Sequence, residues 1–360
     1  MPDVLIAGGG SGGHVAPAIA VAEALAEKDC EVIIAHSTRL IDKKMIQETS
    51  FTSESLKATP LVASPIGFIK FCYGFLSAAS QTKALIRQNN IRCVVATGGF
   101  VAAPALWAAS RMGIPTILLN FDKPPGKANT LACRWATSVL STVDWEEVNA
   151  RRVPPPLRKC TISRDDQRTS ILDLGLDPSK MTLLVTGASQ GAGTINALVP
   201  QLALNTPRVF SNWQILHLAG TNKVKEVEMA YKQTRVSHIV LDFTDEMGKA
   251  WGAADLAITR GGANTIAEIA INAVPSVVMP YPYHKDDHQL TNAKPLEEIG
   301  GVVIETDYKS LETNIEHAGQ RILQLLTNHR RRFEMHQALS LKTPINGAPV
   351  IADAAINIIN

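Results

Sequence analysis

The sequence predicts an α/β protein built as two doubly wound, Rossmann-like domains facing a central cleft. Two observations carry this. Short apolar runs rich in Val, Ile and Leu recur along the chain, several of them followed by glycines and then by a helix-forming stretch. That is the pattern of a buried parallel strand, its turn and a crossover helix. Apolar residues make up 46% of the chain but aromatic ones only 5%, so small aliphatic side chains must fill the cores between layers.

The 360 residues suffice for two domains. A net charge of +2 gives no electrostatic footprint for a nucleic-acid partner. The five cysteines, Cys30, Cys72, Cys93, Cys133 and Cys160, show neither paired nor metal-ligand spacing, which fits a reducing compartment. No apolar run reaches the roughly 18–20 residues of a membrane-spanning helix. No secretory leader precedes the first strand.

Residues 3–7 form the first expected strand. A glycine-rich turn follows, then a helix with apolar residues at Ile19, Ala22 and Leu25. Gly8, Gly10 and Gly13 spell G-x-G-x-x-G, but the acid that would hold a ribose near position 36 is missing, so a dinucleotide reading falls away. His14 lies in the first turn of that helix. The residue alone leaves two readings open, a capping or packing histidine and a general base. A helix N-terminus lowers a histidine pKa and keeps the ring neutral, able to accept a proton.

Strand two is expected at 31–36, a helix at 42–47 and a strand at 51–57. The next stretch crowds Ile66, Phe68, Ile69, Phe71, Tyr73, Phe75 and Leu76 beside Lys70, Lys83 and Arg87. Phe68, Phe71 and Phe75 share one helical face at i, i+3 and i+7. That face is either core or an apolar patch ringed by cations, suited to an anionic membrane surface. A strand at 93–96 runs into Gly98 and Gly99, and strands at 116–119 and 139–142 complete the first domain. Prolines at 154–156 begin a linker. The expected division is 1–155, 156–345 and a C-terminal helical segment, 346–360.

The second domain has expected strands at 181–186, 214–218, 240–241, 255–258, 276–279 and 302–305, and later helices at 315–325, 331–340 and 349–359. Its first glycine loop contains Ser189, Gln190 and Gly191, whose hydroxyl and backbone N–H groups suit a diphosphate. His217 reads as structural. Gly261 and Gly262 turn the chain into a helix opening at Ala263, with the Thr265 hydroxyl in its first turn. Free N–H groups and positive dipole there favour an anion. Glu268 follows one turn on, where a carboxylate can accept two hydrogen bonds from a ribose. A polar loop then carries His284, Lys285, Asp286, Asp287, His288, Gln289 and Asn292 at the carboxyl end of a parallel strand, where open α/β sheets bind ligands.

Residues 257–293 closely resemble the donor signature of the MurG family of UDP-N-acetylglucosamine transferases. The matching elements are Gly262-Ala263, Thr265, Glu268, the His284, Lys285 and Asp286 run, Gln289 and Asn292-Ala293. Gly12, Gly13 and His14, Gly98 and Gly99, Gly126 and Asn129, and the loop around Ser189, Gln190 and Gly191 resemble that family's other loops. The resemblance implies the GT-B arrangement and inverting transfer of N-acetylglucosamine from its UDP donor to lipid I, the undecaprenyl-linked muramyl pentapeptide, giving lipid II. It implies peripheral attachment to the cytoplasmic face of the bacterial plasma membrane, no cofactor and no metal.

By the same resemblance His14 is the base, and Gly12, Gly13, Gly98, Gly99, Asn120, Asp122 and Asn129 meet the acceptor. Arg158 and the loop at Ser189, Gln190 and Gly191 serve the donor phosphates, with Ala263 and Thr265. Phe243 and Thr244 serve the uracil, Glu268 the ribose, and His288 and Gln289 the sugar. The final helix braces the first domain. Two departures stand out. The family's His-Glu-Gln-Asn run is replaced by Leu119, Asn120, Phe121 and Asp122, which bears on the acceptor. His288 stands where glutamine is common, which bears on the sugar. Other readings are a UDP-sugar transferase with a different acceptor, a UDP-sugar 2-epimerase, which would want several acids in the cleft, and a non-catalytic nucleotide-sugar-binding relative.

Overall fold

Two all-parallel sheets organise the chain in the computed structural model, which describes residues 3–187, 192–283, 287–341 and 345–359. The first sheet has β1 (Val4–Gly8), β2 (Val32–Ser37), β3 (Thr52–Leu56), β4 (Cys93–Gly98), β5 (Thr116–Asn120), β6 (Ser138–Ser141) and β7 (Arg151–Arg152), in the order β3-β2-β1-β4-β5-β6-β7. The second has β8 (Met181–Thr186), β9 (Trp213–Leu218), β10 (Ser237–Leu241), β11 (Leu256–Thr259), β12 (Ser276–Val278) and β13 (Val302–Ile304), in the order β10-β9-β8-β11-β12-β13. The central strands are continuous apolar runs because helices cover both their faces. In each sheet the order reverses beside the first strand, so loops after β1 and β4, and after β8 and β11, gather at a switch point.

The chain forms two units, Met1–Arg158 with Ile345–Asn360, and Lys159–Pro344. The helix Ala348–Ile359 therefore belongs to the first unit. Its Ile351, Ala352 and Ala355 join Val15, Ile19 and Ala22 of the helix Gly12–Ala26 in one buried cluster. Asn346 clasps Leu157 from both sides, accepting its N–H at 2.9 Å and donating to its carbonyl at 2.8 Å. One strand was not expected. Arg151 and Arg152 carry no apolar pattern, and β7 exists because it pairs with Leu140 and Ser141 at the sheet edge.

The crowded aromatic stretch forms one helix, Pro65–Gln88, started by the Ser64 hydroxyl, which accepts the Gly67 N–H at 3.0 Å. It buries Gly74, Ala78, Ala79, Thr82 and Ile86. A side chain at Gly74 would place its Cβ 2.3 Å from Thr59 Oγ1, so the helix lies down on its small residues. Burial along the face expected of Phe68, Phe71 and Phe75 is graded, with Phe68 exposed and the other two half-buried. Phe75 is half-buried, its ring 5.8 Å from Trp107 and 6.1 Å from Trp135, and Phe71 packs on it at 6.0 Å. Ile66, Phe68, Ile69, Tyr73 and Leu76 remain exposed, Tyr73 to 77%. Lys83 is not a free cation beside them, since its Nζ sits 5.0 Å over the Trp107 ring.

Phe75→Ser should therefore destabilise the protein by about 2–3 kcal/mol, somewhat below the cost for a fully buried phenylalanine. Tyr73→Ser should stay within about 0.5 kcal/mol of the parent. Urea unfolding of the two variants checks this, and equal losses would contradict the assigned face.

Candidate functional site

In the first unit the loops after β1 and β4 meet. Gly98 and Gly99 hold φ of +104° and +77°. A Cβ on Gly98 would fall 2.6 Å from His14 Nδ1, and one on Gly99 would fall 1.8 Å from the Gly9 carbonyl oxygen. Only glycine satisfies both the conformation and the approach. The approach brings the Thr97 carbonyl to 3.1 Å from His14 Nδ1. A carbonyl can only accept, so Nδ1 carries the proton and Nε2 is the basic nitrogen. The Thr97 hydroxyl returns a bond to the His14 carbonyl at 2.8 Å. Burial pushes the His14 pKa below 6.5, while Asp122, the Thr97 carbonyl and Asp42 pull it upward less strongly. The ring is neutral at pH 7.

Asp42 was not foreseen. It is buried, and its Oδ2 accepts the Gly10 N–H at 2.6 Å, the Ser37 N–H at 3.2 Å and the Ser37 hydroxyl. The acid missing near position 36 is thus supplied from the following helix, its Oδ2 taken up by Gly10 and Ser37 and its Oδ1 buried without a hydrogen-bond partner among the described residues. Arg39 donates to the Gly10 carbonyl and lies 5.2 Å over the Phe100 ring. Gly12 and Gly13 stand in the first turn of the His14 helix, which has no side-chain cap.

Asn120 and Asn129, expected to meet the acceptor, are tied into the end of β5. Both are buried. Asn129 Nδ2 donates to the Leu119 carbonyl and to Asn120 Oδ1, each at 3.1 Å, and Asn120 Nδ2 donates to the Asp122 carbonyl at 3.0 Å and Ser141 Oγ at 3.1 Å. The network fixes the strand end from which Asp122, half-buried, emerges. Arg158, expected at the donor phosphates, lies at the boundary between the two units. It belongs to the first unit, is 13% exposed, and sets its Nε 3.9 Å from Glu23 of the His14 helix.

In the second unit Gly261 and Gly262 follow β11 as expected, and the helix Ala263–Asn272 starts without a side-chain cap, leaving its first-turn N–H groups, with Thr265 beside them, to an anion. A Cβ on Gly261 would fall 2.3 Å from the Gln289 carbonyl oxygen. Gln289 closes this contact with its side chain, where Oε1 accepts the Gly261 N–H at 3.2 Å and the Tyr281 N–H at 2.9 Å. With both lone pairs of that oxygen used, Gln289 can meet a ligand only through its Nε2–H donors. Asn292 Nδ2 donates to the Gly261 carbonyl at 3.2 Å. Glu268 is half-buried and oriented by the buried Trp251, whose Nε1 donates to Oε2 at 3.0 Å. His288 is half-buried at the start of the helix His288–Glu298.

Phe243 is 38% exposed beyond β10, with Thr244 half-buried beside it, so the ring is available to a flat partner. Ser189, Gln190, Gly191, His284, Lys285 and Asp286 lie outside the described residues. His217 is fully buried between Tyr231 Oη at 2.8 Å and Asn196 Oδ1 at 3.1 Å, and burial pushes its pKa down to about 3. It is structural. The reading missed Arg260, a buried guanidinium directly before the glycine turn, bonded to the carbonyls of Met279 and Pro280 and the Thr194 hydroxyl. An arginine ending an apolar strand was the available signal.

Comparison with known proteins matches both parts of the chain to one family. Residues 4–141 match the glycosyltransferase family 28 N-terminal domain and residues 182–349 its C-terminal domain. The chain is 33% identical over 343 residues to the UDP-N-acetylglucosamine–N-acetylmuramyl-(pentapeptide) pyrophosphoryl-undecaprenol N-acetylglucosamine transferase of Streptomyces coelicolor, covering 93% of this chain and 92% of the relative. It is 31% identical over 361 residues to the protein of the same name from Corynebacterium diphtheriae, covering 99% and 97%. The crystal structure of Acinetobacter baumannii MurG shares the fold, with a TM-score of 0.75 at 24% identity, over 99% of this chain and all of that one.

An NMR titration of the ring protons should give His14 a pKa below 6.5. Asp122→Asn removes the carboxylate that favours the imidazolium, so it should lower that pKa further. An unshifted His14, or a rise in the variant, would contradict the assigned surroundings.

Proposed function

The chain belongs to glycosyltransferase family 28, and from that premise we propose that it moves N-acetylglucosamine from UDP-N-acetylglucosamine to lipid I, forming lipid II in peptidoglycan synthesis. The observation that carries the reading within the structure is the neutral His14, held by its Nδ1 bond so that Nε2 is free to act as a base. Nε2 takes the proton of the muramyl hydroxyl, the oxygen attacks the anomeric carbon, and UDP leaves from the opposite face with inversion.

The departing diphosphate needs its charge met. The sequence has no Asp-x-Asp clamp. First-turn N–H groups of the helices Ala263–Asn272 and Gly193–Asn205, neither with a side-chain cap, supply positive potential. The loop at Ser189, Gln190 and Gly191 adds its amides. Glu268 accepts from the ribose, Phe243 and Thr244 meet the uracil, and His288 with the Gln289 Nε2–H group meets the sugar. Gly12, Gly13, Gly98, Gly99 and Asp122 face the acceptor. A screen of nucleotide sugars against purified lipid I, with products weighed by mass spectrometry, tests the reading. Only UDP-N-acetylglucosamine should yield lipid II, and His14→Ala should slow turnover about 10²–10⁴-fold. Absence of product from the parent protein sinks the assignment.

The acceptor carries a prenyl chain, so the protein must meet a membrane surface. No helix among the described residues is long and apolar enough to cross one. The exposed face at Ile66, Phe68, Ile69, Tyr73 and Leu76, with Lys70 and Arg87 exposed on the same helix, suits peripheral binding at the cytoplasmic leaflet. The double variant Ile69→Ser/Tyr73→Ser should keep its melting temperature and lose co-sedimentation with anionic vesicles. Retained sedimentation would remove this face from the membrane role.

A further inference from the structure

Asp307 is a buried carboxylate that none of the roles above uses. It follows β13, and its side chain is fully buried. Oδ2 lies 2.9 Å from Arg260 Nη1 and accepts the Thr194 hydroxyl. Oδ1 accepts Asn314 Nδ2 at 3.0 Å and the Lys309 N–H at 2.9 Å. Arg260 extends the knot, with Nη2 donating to Thr194 Oγ1 at 2.8 Å and Nη1 to the carbonyls of Met279 at 2.9 Å and Pro280 at 3.2 Å. Thr194 stands in the first turn of the helix after β8, Arg260 directly follows β11, Met279 and Pro280 follow β12, and Asp307 follows β13. These four strands are neighbours in the sheet. One carboxylate therefore ties together the loops leaving four adjacent carboxyl ends.

A buried ion pair contributes little net stability, because desolvating both charges offsets their attraction. What it does supply is a single geometry. Burial would raise the Asp307 pKa, but donors from Thr194, Asn314, Lys309 and Arg260 outweigh this and hold it below the ordinary value, so the group stays ionised. We propose that Asp307 is a positioning residue for the donor diphosphate, fixing through Arg260 and Thr194 the arrangement of the Gly261 turn and the first turn of the helix Gly193–Asn205. The inference rests on the reading of this unit as the UDP-sugar site.

Asp307→Asn keeps the shape and removes the charge. Titration calorimetry of the full chain with UDP, and separately with uridine, separates phosphate positioning from general damage. UDP affinity should fall about tenfold or more, as expected for a weakened charge-assisted network, while uridine affinity holds. Thr194→Val removes only the bridging hydroxyl and should weaken UDP by a smaller factor, again sparing uridine. The double variant should be no weaker than Asp307→Asn alone, because both act through one contact. Unchanged UDP affinity in Asp307→Asn, or equal loss for uridine and UDP, overturns the proposal. If Asp307→Asn does not fold, the same comparison on Thr194→Val decides it. A parent protein that fails to bind UDP sinks the donor reading and this inference together, whereas a parent that binds with both variants insensitive sinks this inference alone.

Discussion

Gly99 lies so near Gly9 that no side chain can stand between the two backbones. The approach follows from parallel pairing of β1 with β4, whose register shifts where Ala7 gives way to Gly8, setting Gly8 opposite Gly98. Everything assigned to the first half-site depends on it. The Thr97 carbonyl reaches His14 only because the strand end is drawn in, and that bond decides which ring nitrogen is basic. Asp42 and Arg39 hold the facing loop by its Gly10 N–H and carbonyl, so the glycines are fixed without side chains of their own.

The second unit solves the same problem with different chemistry. Gly261 comes against the Gln289 carbonyl, and the gap is closed by side-chain amides from Gln289 and Asn292. Beneath that contact lies a buried charged pair rather than a single carboxylate. Gln289 uses its oxygen for the scaffold and keeps its N–H groups. Glu268 also serves the scaffold, one oxygen accepting from Trp251 Nε1.

The glycine turns and the strand-helix alternation were legible in the sequence because they rest on local pattern. What escaped rests on partners distant along the chain. Asp42, Arg260 and Asp307 look like ordinary surface charges until folding brings backbone donors and acceptors around them. Asn120 and Asn129 were assigned to the acceptor through the family resemblance, and the bond that Asn129 donates to Asn120 depends on folding. The helix Pro65–Gln88 shows the limit of periodicity. Its spacing left core and exposed patch both open, and the structure divides them: Gly74 meets Thr59, Ala78 and Thr82 are buried, Phe75 packs on Trp107, and Phe68, Ile69 and Tyr73 stay outside.

The return of the chain to its first unit at Ile345 has a consequence for synthesis. The Lys159–Pro344 unit is inserted within the first unit, not appended to it. On the ribosome, the apolar side of the helix around Val15, Ile19 and Ala22 waits uncovered while the whole inserted unit is made and can fold. Its cover, Ile351, Ala352 and Ala355, emerges last. The nascent protein thus carries an exposed hydrophobic seam through most of translation, and the unit that holds His14 is completed only after the Lys159–Pro344 unit.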